Sequence, residues 1–276
     1  MRVDVLALQR FYASPLGEAA RRMACRRLDA LWPHADGLDV LGMGYSTPYL
    51  EPYRANARRV VAMMPAEQGG ERWPAEGASQ IALSDETRLP FMDAIFDRVL
   101  MVHCLEEAGD LRRLLREAWR VMAPEGRLVV ITANRWSFWA QSDTTPFGHG
   151  RPFSRLQLSS LLADAMFEPV ASARALYAPP WTWGPSVRAA EAFERVGETV
   201  WPALGGLVLM EAVKRLYAET AKSGQRVLLA KAAERPRNSP RPEAPGPSRV
   251  LARGACGNPL GDDIAAVQHA LRDTRR

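Results

Sequence analysis

Hydrophobic positions in this chain fall into two periodicities that take turns. Runs rich in aliphatic residues occur at 37–44, 59–64, 80–83, 96–102 and 127–132, each short enough for a strand buried on both faces. Between the last two, Leu111, Leu114, Leu115, Ala118, Trp119, Val121 and Met122 repeat at helical spacing. Upstream, residues 11–32 carry Leu16, Ala19, Ala20, Met23, Ala24, Leu28 and Leu31 on one face. Ser14 and Pro15 suit the N-cap and first turn of that helix, and Pro33 ends it. This alternation predicts an α/β chain whose core is a Rossmann-like, doubly wound and mostly parallel sheet, with its site at the carboxyl ends of the strands.

The pattern loosens after residue 135 into a loop rich in aromatics and glycine, 136–153, and then gives a helix over 154–166 and a strand near 170–177. A turn around Trp181 and Trp183, a helix over 187–201 and an apolar run, Leu207–Met210, follow. Gln225–Lys231 suits either an edge strand or an arm. Five prolines between 236 and 247, mixed with Arg, Glu, Gly and Ser, predict disorder, because that segment cannot bury enough apolar surface to offset its ordering entropy. Asp262–Arg272 is at most a short isolated helix. The expected organisation is an N-terminal helical cap over 1–36, a main domain over 37–232 and a disordered Pro/Arg-rich tail over 233–276.

Composition narrows the partners. At 276 residues with 47% hydrophobic side chains, the chain can bury one sizeable core. The net charge of +5 is concentrated at the end: nine basic and five acidic side chains lie from Lys231 onward. The remainder is nearly neutral, which makes nucleic acid an unlikely partner. No apolar run is long enough to span a bilayer and the N-terminus lacks a signal-peptide layout, so a cytoplasmic protein is expected. Cys25, Cys104 and Cys256 form neither an even framework nor a CxxC pair, and neither a metal nor a disulfide is expected.

Candidate chemistry begins at Gly42-Met43-Gly44, where two glycines let the chain turn sharply and approach a ligand while the following helix offers free N–H groups. Thr47 stands where a dinucleotide-binding fingerprint has its third glycine, which argues against a nicotinamide or flavin cofactor. Three ordered stretches add context: Asp85-Glu86-Thr87-Arg88-Leu89-Pro90-Phe91, then Phe96-Asp97, then Arg120-Val121-Met122-Ala123-Pro124-Glu125-Gly126. Together they resemble class I S-adenosylmethionine methyltransferases of the methyltransferase type 11 family. The resemblance covers 37–134 well and extends loosely to about 170. It implies an antiparallel hairpin at the C-terminal edge of the sheet, with 170–177 and 207–210 as its strands, and S-adenosylmethionine as the cofactor. It also implies that Gly42 and Gly44 sit against the methionine part of the cofactor and that Asp85 lies beside the adenine amino group; Tyr45, Glu86 and His103 are further candidates for cofactor contact.

Two departures accompany it. The family ends strand two with an acid that holds the ribose hydroxyls, whereas Met63-Met64-Pro65 stands here, and Glu67 lies beyond it. Glu125 replaces the first glycine of a Pro-Gly-Gly turn, a change of turn geometry remote from the cofactor. No dedicated acid–base pair is required for methyl transfer, which needs a positioned acceptor, excluded water and sometimes a base. His149 and Arg151, in the loop after strand five, are the candidates for acceptor contact, with His149 or His103 as a base. His103 also suits a structural role. Trp136, Phe138, Trp139, Trp181 and Trp183 suit either an apolar acceptor pocket or plain packing, and Tyr12 either a cap over the cofactor or an anchor for its helix. The function expected is methyl transfer to a small-molecule or protein acceptor. The alternative is a catalytically idle relative that keeps the fold to bind a partner.

Overall fold

A computed structural model describes residues 2–180 and 187–216, which fall within one compact unit, Met1–Glu219. The turn at Trp181 and Trp183, the run Gln225–Lys231, the Pro-rich tail, Cys256 and Asp262–Arg272 lie outside the described residues.

The chain opens with α1 (Val5–Ala13) and α2 (Pro15–Leu31). Ser14 closes one and begins the other: its N–H donates to Phe11 O, and its side chain accepts from Gly17 N. The single helix expected over 11–32 is thus two. Then come β1 (Asp39–Gly44), the short α3 (Thr47–Leu50), β2 (Arg59–Pro65), β3 (Ile81–Ser84) and β4 (Phe96–Val102). After them come α4 (Leu111–Val121), β5 (Met122–Ala133), α5 (Arg155–Asp164), β6 (Phe167–Ala175), α6 (Val187–Val200) and β7 (Leu207–Lys214). α5 starts on the capping box of Ser154 and Gln157.

The seven strands form one sheet in the order β3-β2-β1-β4-β5-β7-β6. The first five run parallel, while β7 pairs antiparallel with β5 and with β6, which is the hairpin expected at that edge. The alternation of strand and helix is incomplete. β2 reaches β3 through a single 3-10 turn and loop, and β3 reaches β4 through a loop alone.

Side-chain alternation sorts the core into two layers. Val40, Leu100, Val102, Val129, Ile131 and Leu209 pack with Leu8, Tyr12, Met23, Leu28 and Trp32 of the N-terminal helices and their end. Leu41, Met43, Val99, Met101, Leu128, Val130 and Met210 pack with Leu114, Ala118, Leu158 and Leu162 of α4 and α5. Both faces of the central strands are therefore covered, as their uninterrupted apolar runs required. The N-terminal helices belong to the same core as the sheet.

α6 is tied to the end of β6 by one side chain. Buried Glu194 accepts from Leu176 N at 2.9 Å and Tyr177 N at 2.8 Å. Glu194→Ala would strand both donors and is expected to cost about 2–4 kcal/mol. Urea denaturation checks this as a lowered midpoint at unchanged slope.

Candidate functional site

Strand order reverses between β1 and β4, opening a crevice at their carboxyl ends, where sites lie in sheets of this kind. Gly44 ends β1 at φ +73°, and a Cβ there would sit 2.3 Å from Val102 O of β4. A Cβ on Gly42 would lie 2.1 Å from Ser46 Oγ and 2.5 Å from Leu50. Both glycines thus let the chain approach itself; neither faces open space.

Past Gly44 the chain turns, with Tyr45 N donating to Val102 O at 2.9 Å. The Tyr45 ring stacks on Tyr12 of α1, centroids 5.5 Å apart. The Tyr12 hydroxyl lies 2.8 Å from His103 Nε2 and 3.0 Å from Tyr49 Oη. His103 sits just past β4 at φ +49°, its ring 4.8 Å from that of Phe147. All of these side chains are buried. Burial pushes the His103 imidazole down to about 3 and the Tyr12 phenol well above its usual value. The imidazole is therefore neutral at physiological pH, and Tyr12 anchors α1 over the residues that follow β1 and β4.

Glu71 fastens the roof at a second place, accepting from Tyr45 Oη (3.1 Å), Thr47 Oγ1 (2.5 Å) and Gln9 Nε2 (2.7 Å). The N-terminal residues fasten it at a third. Arg2 pairs with Glu86 at 2.6 Å, both side chains 7% exposed, and Val3 N donates to the Glu107 carboxylate at 3.0 and 3.1 Å. Burial raises Glu86, opposed by Arg2. It also raises Glu107, opposed by the Val3 N–H, Arg2 and His149.

Each of the first three strands hands over to a buried polar side chain with an atom lacking a hydrogen-bond partner. These are Ser46 Oγ after β1, both amide atoms of Gln68 after β2, and Glu86 Oε2 after β3, joined by Arg2 Nη1. Other buried side-chain atoms among the described residues also lack a partner, Glu106 Oε2 and Thr132 Oγ1 among them, but three such groups at successive strand ends make this the candidate ligand place.

The remaining expected residues are distributed differently. Asp85, expected beside an adenine amino group, is exposed, and its Oδ1 closes a turn by accepting from Thr87 N and Oγ1, both at 2.8 Å. Those bonds hold its carboxyl below the usual range, and Glu86 is the neighbour that turns inward. Trp139, expected at the acceptor, is buried, donates to Ala178 O at 2.7 Å and packs edge-on to Phe147. Trp136 and Phe138 are exposed. His149 is exposed. Arg151 donates to Ala108 O at 2.9 Å and lines an open groove of about 610 Å³ together with Arg135, Leu111, Phe153, Leu156 and Gln157. Gly150 is pressed against Glu106, whose Oε1 accepts from Ala133 N at 3.1 Å and whose carboxyl is raised by burial. This ties the 136–153 loop to the ends of β4 and β5.

Sequence reasoning missed Ser46, Gln68, Glu71 and Tyr49. The only cue lay beside a residue it weighed: Glu67 is exposed, whereas Gln68, one position on, is 1% exposed.

Residues 38–130 match the family model described as a methyltransferase domain. A probable S-adenosylmethionine-dependent methyltransferase of Mycobacterium tuberculosis is 32% identical over 184 residues, covering 62% of this chain and 66% of that protein. The chain thus spans just under two thirds of that relative's length. Among solved structures, an S-adenosylmethionine-dependent methyltransferase from Thermotoga maritima aligns with a TM-score of 0.55 at 19% identity, over 76% of this chain and 96% of that one. A Haloferax volcanii complex of a methyltransferase with its Trm112 activator aligns at 0.54 and 16%, over 74% and 93%. These two show the fold.

The buried imidazole makes a stability prediction. Its folded value, near 3, lies below the 6.5 of an exposed histidine. The unfolded chain therefore binds the extra proton first, and this contribution is complete above pH 6.5 and declines as pH falls toward 3, by up to about 1.4 kcal/mol per pH unit. Buried carboxyls such as Glu86, Glu106 and Glu107, raised in the fold, contribute in the opposite sense. The difference between wild type and His103→Asn, which tolerates positive φ, is therefore expected to shrink steadily from pH 7 to pH 4. Denaturant unfolding across that range measures it.

Proposed function

We propose that the chain, whose residues 38–130 match the methyltransferase domain model, is a class I S-adenosylmethionine-dependent methyltransferase of the methyltransferase type 11 family and transfers a methyl group from S-adenosylmethionine to a small-molecule or protein acceptor. The observation that carries the assignment to this crevice is the succession of unpartnered buried groups on Ser46, Gln68 and Glu86 at the ends of β1, β2 and β3. Their chemistry fits the cofactor: hydroxyl, carboxamide and carboxylate suit a molecule that presents an amino acid, a ribose and an adenine. When bound, S-adenosylmethionine supplies a sulfonium-activated methyl group for in-line displacement.

The chain's own residues bind, orient and exclude water. In this reading Gly44 shapes the turn, and Tyr45, Ser46, Gln68 and Glu86 line the cofactor. Asp85 contributes from the rim through the turn that positions Glu86. Tyr12 and His103 form the roof and wall. A neutral imidazole near pKa 3 that is already bonded to Tyr12 is a poor proton acceptor at neutral pH, so His103 is assigned to positioning. His149, exposed beside Glu107 on the 136–153 loop, remains the candidate base. Arg151 and Arg135 offer positive charge to an acceptor entering along the groove beside α5. Among the described residues no helix is long and apolar enough to cross a membrane, in keeping with a cytoplasmic enzyme.

Isothermal calorimetry with S-adenosylhomocysteine tests the reading. Binding in the micromolar range is expected. An absence of heat at high micromolar ligand would remove the cofactor from the assignment and leave the fold as a binding module.

A further inference from the structure

We infer that Gln68 grips the ribose hydroxyls of the cofactor through its carboxamide, an inference that rests on the cofactor reading above. β2 ends at Pro65 in Met63-Met64-Pro65, all buried, and the two methionines offer a ligand no hydrogen-bonding oxygen or nitrogen on their side chains. The first buried polar side chain beyond them is Gln68, at the close of the 3-10 turn Ala66–Gln68. It is 1% exposed, and neither its Nε2 nor its Oε1 has a partner. A carboxamide with both ends unsatisfied is rare in an interior and points to a missing partner that can both donate and accept.

The turn is fixed on its far side. A Cβ on Gly69 would touch Val5 of α1 at 3.1 Å, and Glu71, two residues further, is tied to Gln9, Tyr45 and Thr47. The turn that carries Gln68 is therefore held between the end of β2 and α1, whereas Glu67 is exposed.

The ligand chemistry follows from the side chain. A carboxylate at this place would accept from both hydroxyls of a vicinal diol. A carboxamide accepts from one through Oε1 and donates to the other through Nε2, so it recognises both hydroxyls by different bonds and adds no charge. Loss of either hydroxyl leaves one end of a buried amide unpaired again, which is how polar sites discriminate strongly.

The test is calorimetry of S-adenosylhomocysteine and its 2′-deoxy and 3′-deoxy analogues against wild type and Gln68→Met, a substitution of similar length without the amide. Wild type is expected to bind each deoxy analogue about ten-fold or more weakly than the parent. Gln68→Met should bind the parent about ten-fold more weakly and no longer distinguish it from the analogues. Removal of an unsatisfied buried amide should leave the melting temperature of the ligand-free protein unchanged or raised, while the upward shift given by S-adenosylhomocysteine shrinks. If wild type binds the parent and Gln68→Met binds it equally well, or keeps the discrimination, this inference falls alone. If wild type does not bind the parent, the cofactor reading falls and takes the inference with it.

Discussion

The site depends on one close backbone contact, that of Gly44 with the end of β4. No side chain larger than hydrogen fits, because a Cβ would stand 2.3 Å from Val102 O. The Tyr45 N–H takes that same carbonyl oxygen as its partner, so β1 is turned at a fixed distance from its neighbour. β4 in turn leaves the sheet through His103 in the left-handed region, a conformation that costs a non-glycine residue free energy and persists where its surroundings hold it. Here the holding group is Tyr12, whose hydroxyl bonds to Nε2. Turn, strained histidine and covering helix form one unit.

That unit sets the electrostatic character of the crevice. Three tyrosines and a neutral imidazole present polar atoms without net charge, the carboxyl of Glu86 is balanced by Arg2 at its own edge, and the carboxylate of Glu71 is held by hydrogen bonds from Tyr45, Thr47 and Gln9. In such surroundings charge is expensive and hydrogen-bond geometry decides what binds. The same burial that removes His103 as a base pushes Glu106 and Glu107 upward. On the 136–153 loop, by contrast, His149 is exposed.

The sheet was legible in the sequence because parallel strands covered on both faces appear as uninterrupted apolar runs, and 37–44, 96–102 and 127–132 are such runs. The division of α1 from α2 was not. Only Val5, Leu8 and Tyr12 of α1 are buried, too few to stand out, and Ser14 ends one helix with its N–H while starting the next with its side chain, so the apolar pattern runs on across the break. Inward and outward positions were equally hidden in the turn after β3. Asp85 and Glu86 are chemically alike, and the bonds from Thr87 to Asp85 together with the buried pair of Glu86 with Arg2 decide that the second carboxylate turns inward.

The glycine loop drew attention in the sequence because glycine near a strand end suggests a ligand, yet both glycines are filled by the chain's own atoms. The buried atoms without partners at the strand ends belong to residues of ordinary type. Ser46, Gln68 and Glu86 lie two, three and two positions beyond the last residues of β1, β2 and β3. Register explains the regularity. Met43 pairs with Met63 and Pro65 with Ser84, so neighbouring parallel strands end at nearly the same level. Residues a few positions past each end therefore leave the sheet at a similar level. A polar residue two or three positions past a parallel strand and buried there is thus a candidate of a different kind from the glycines, which bring the turn after β1 against its own strand at Gly42 and against β4 at Gly44.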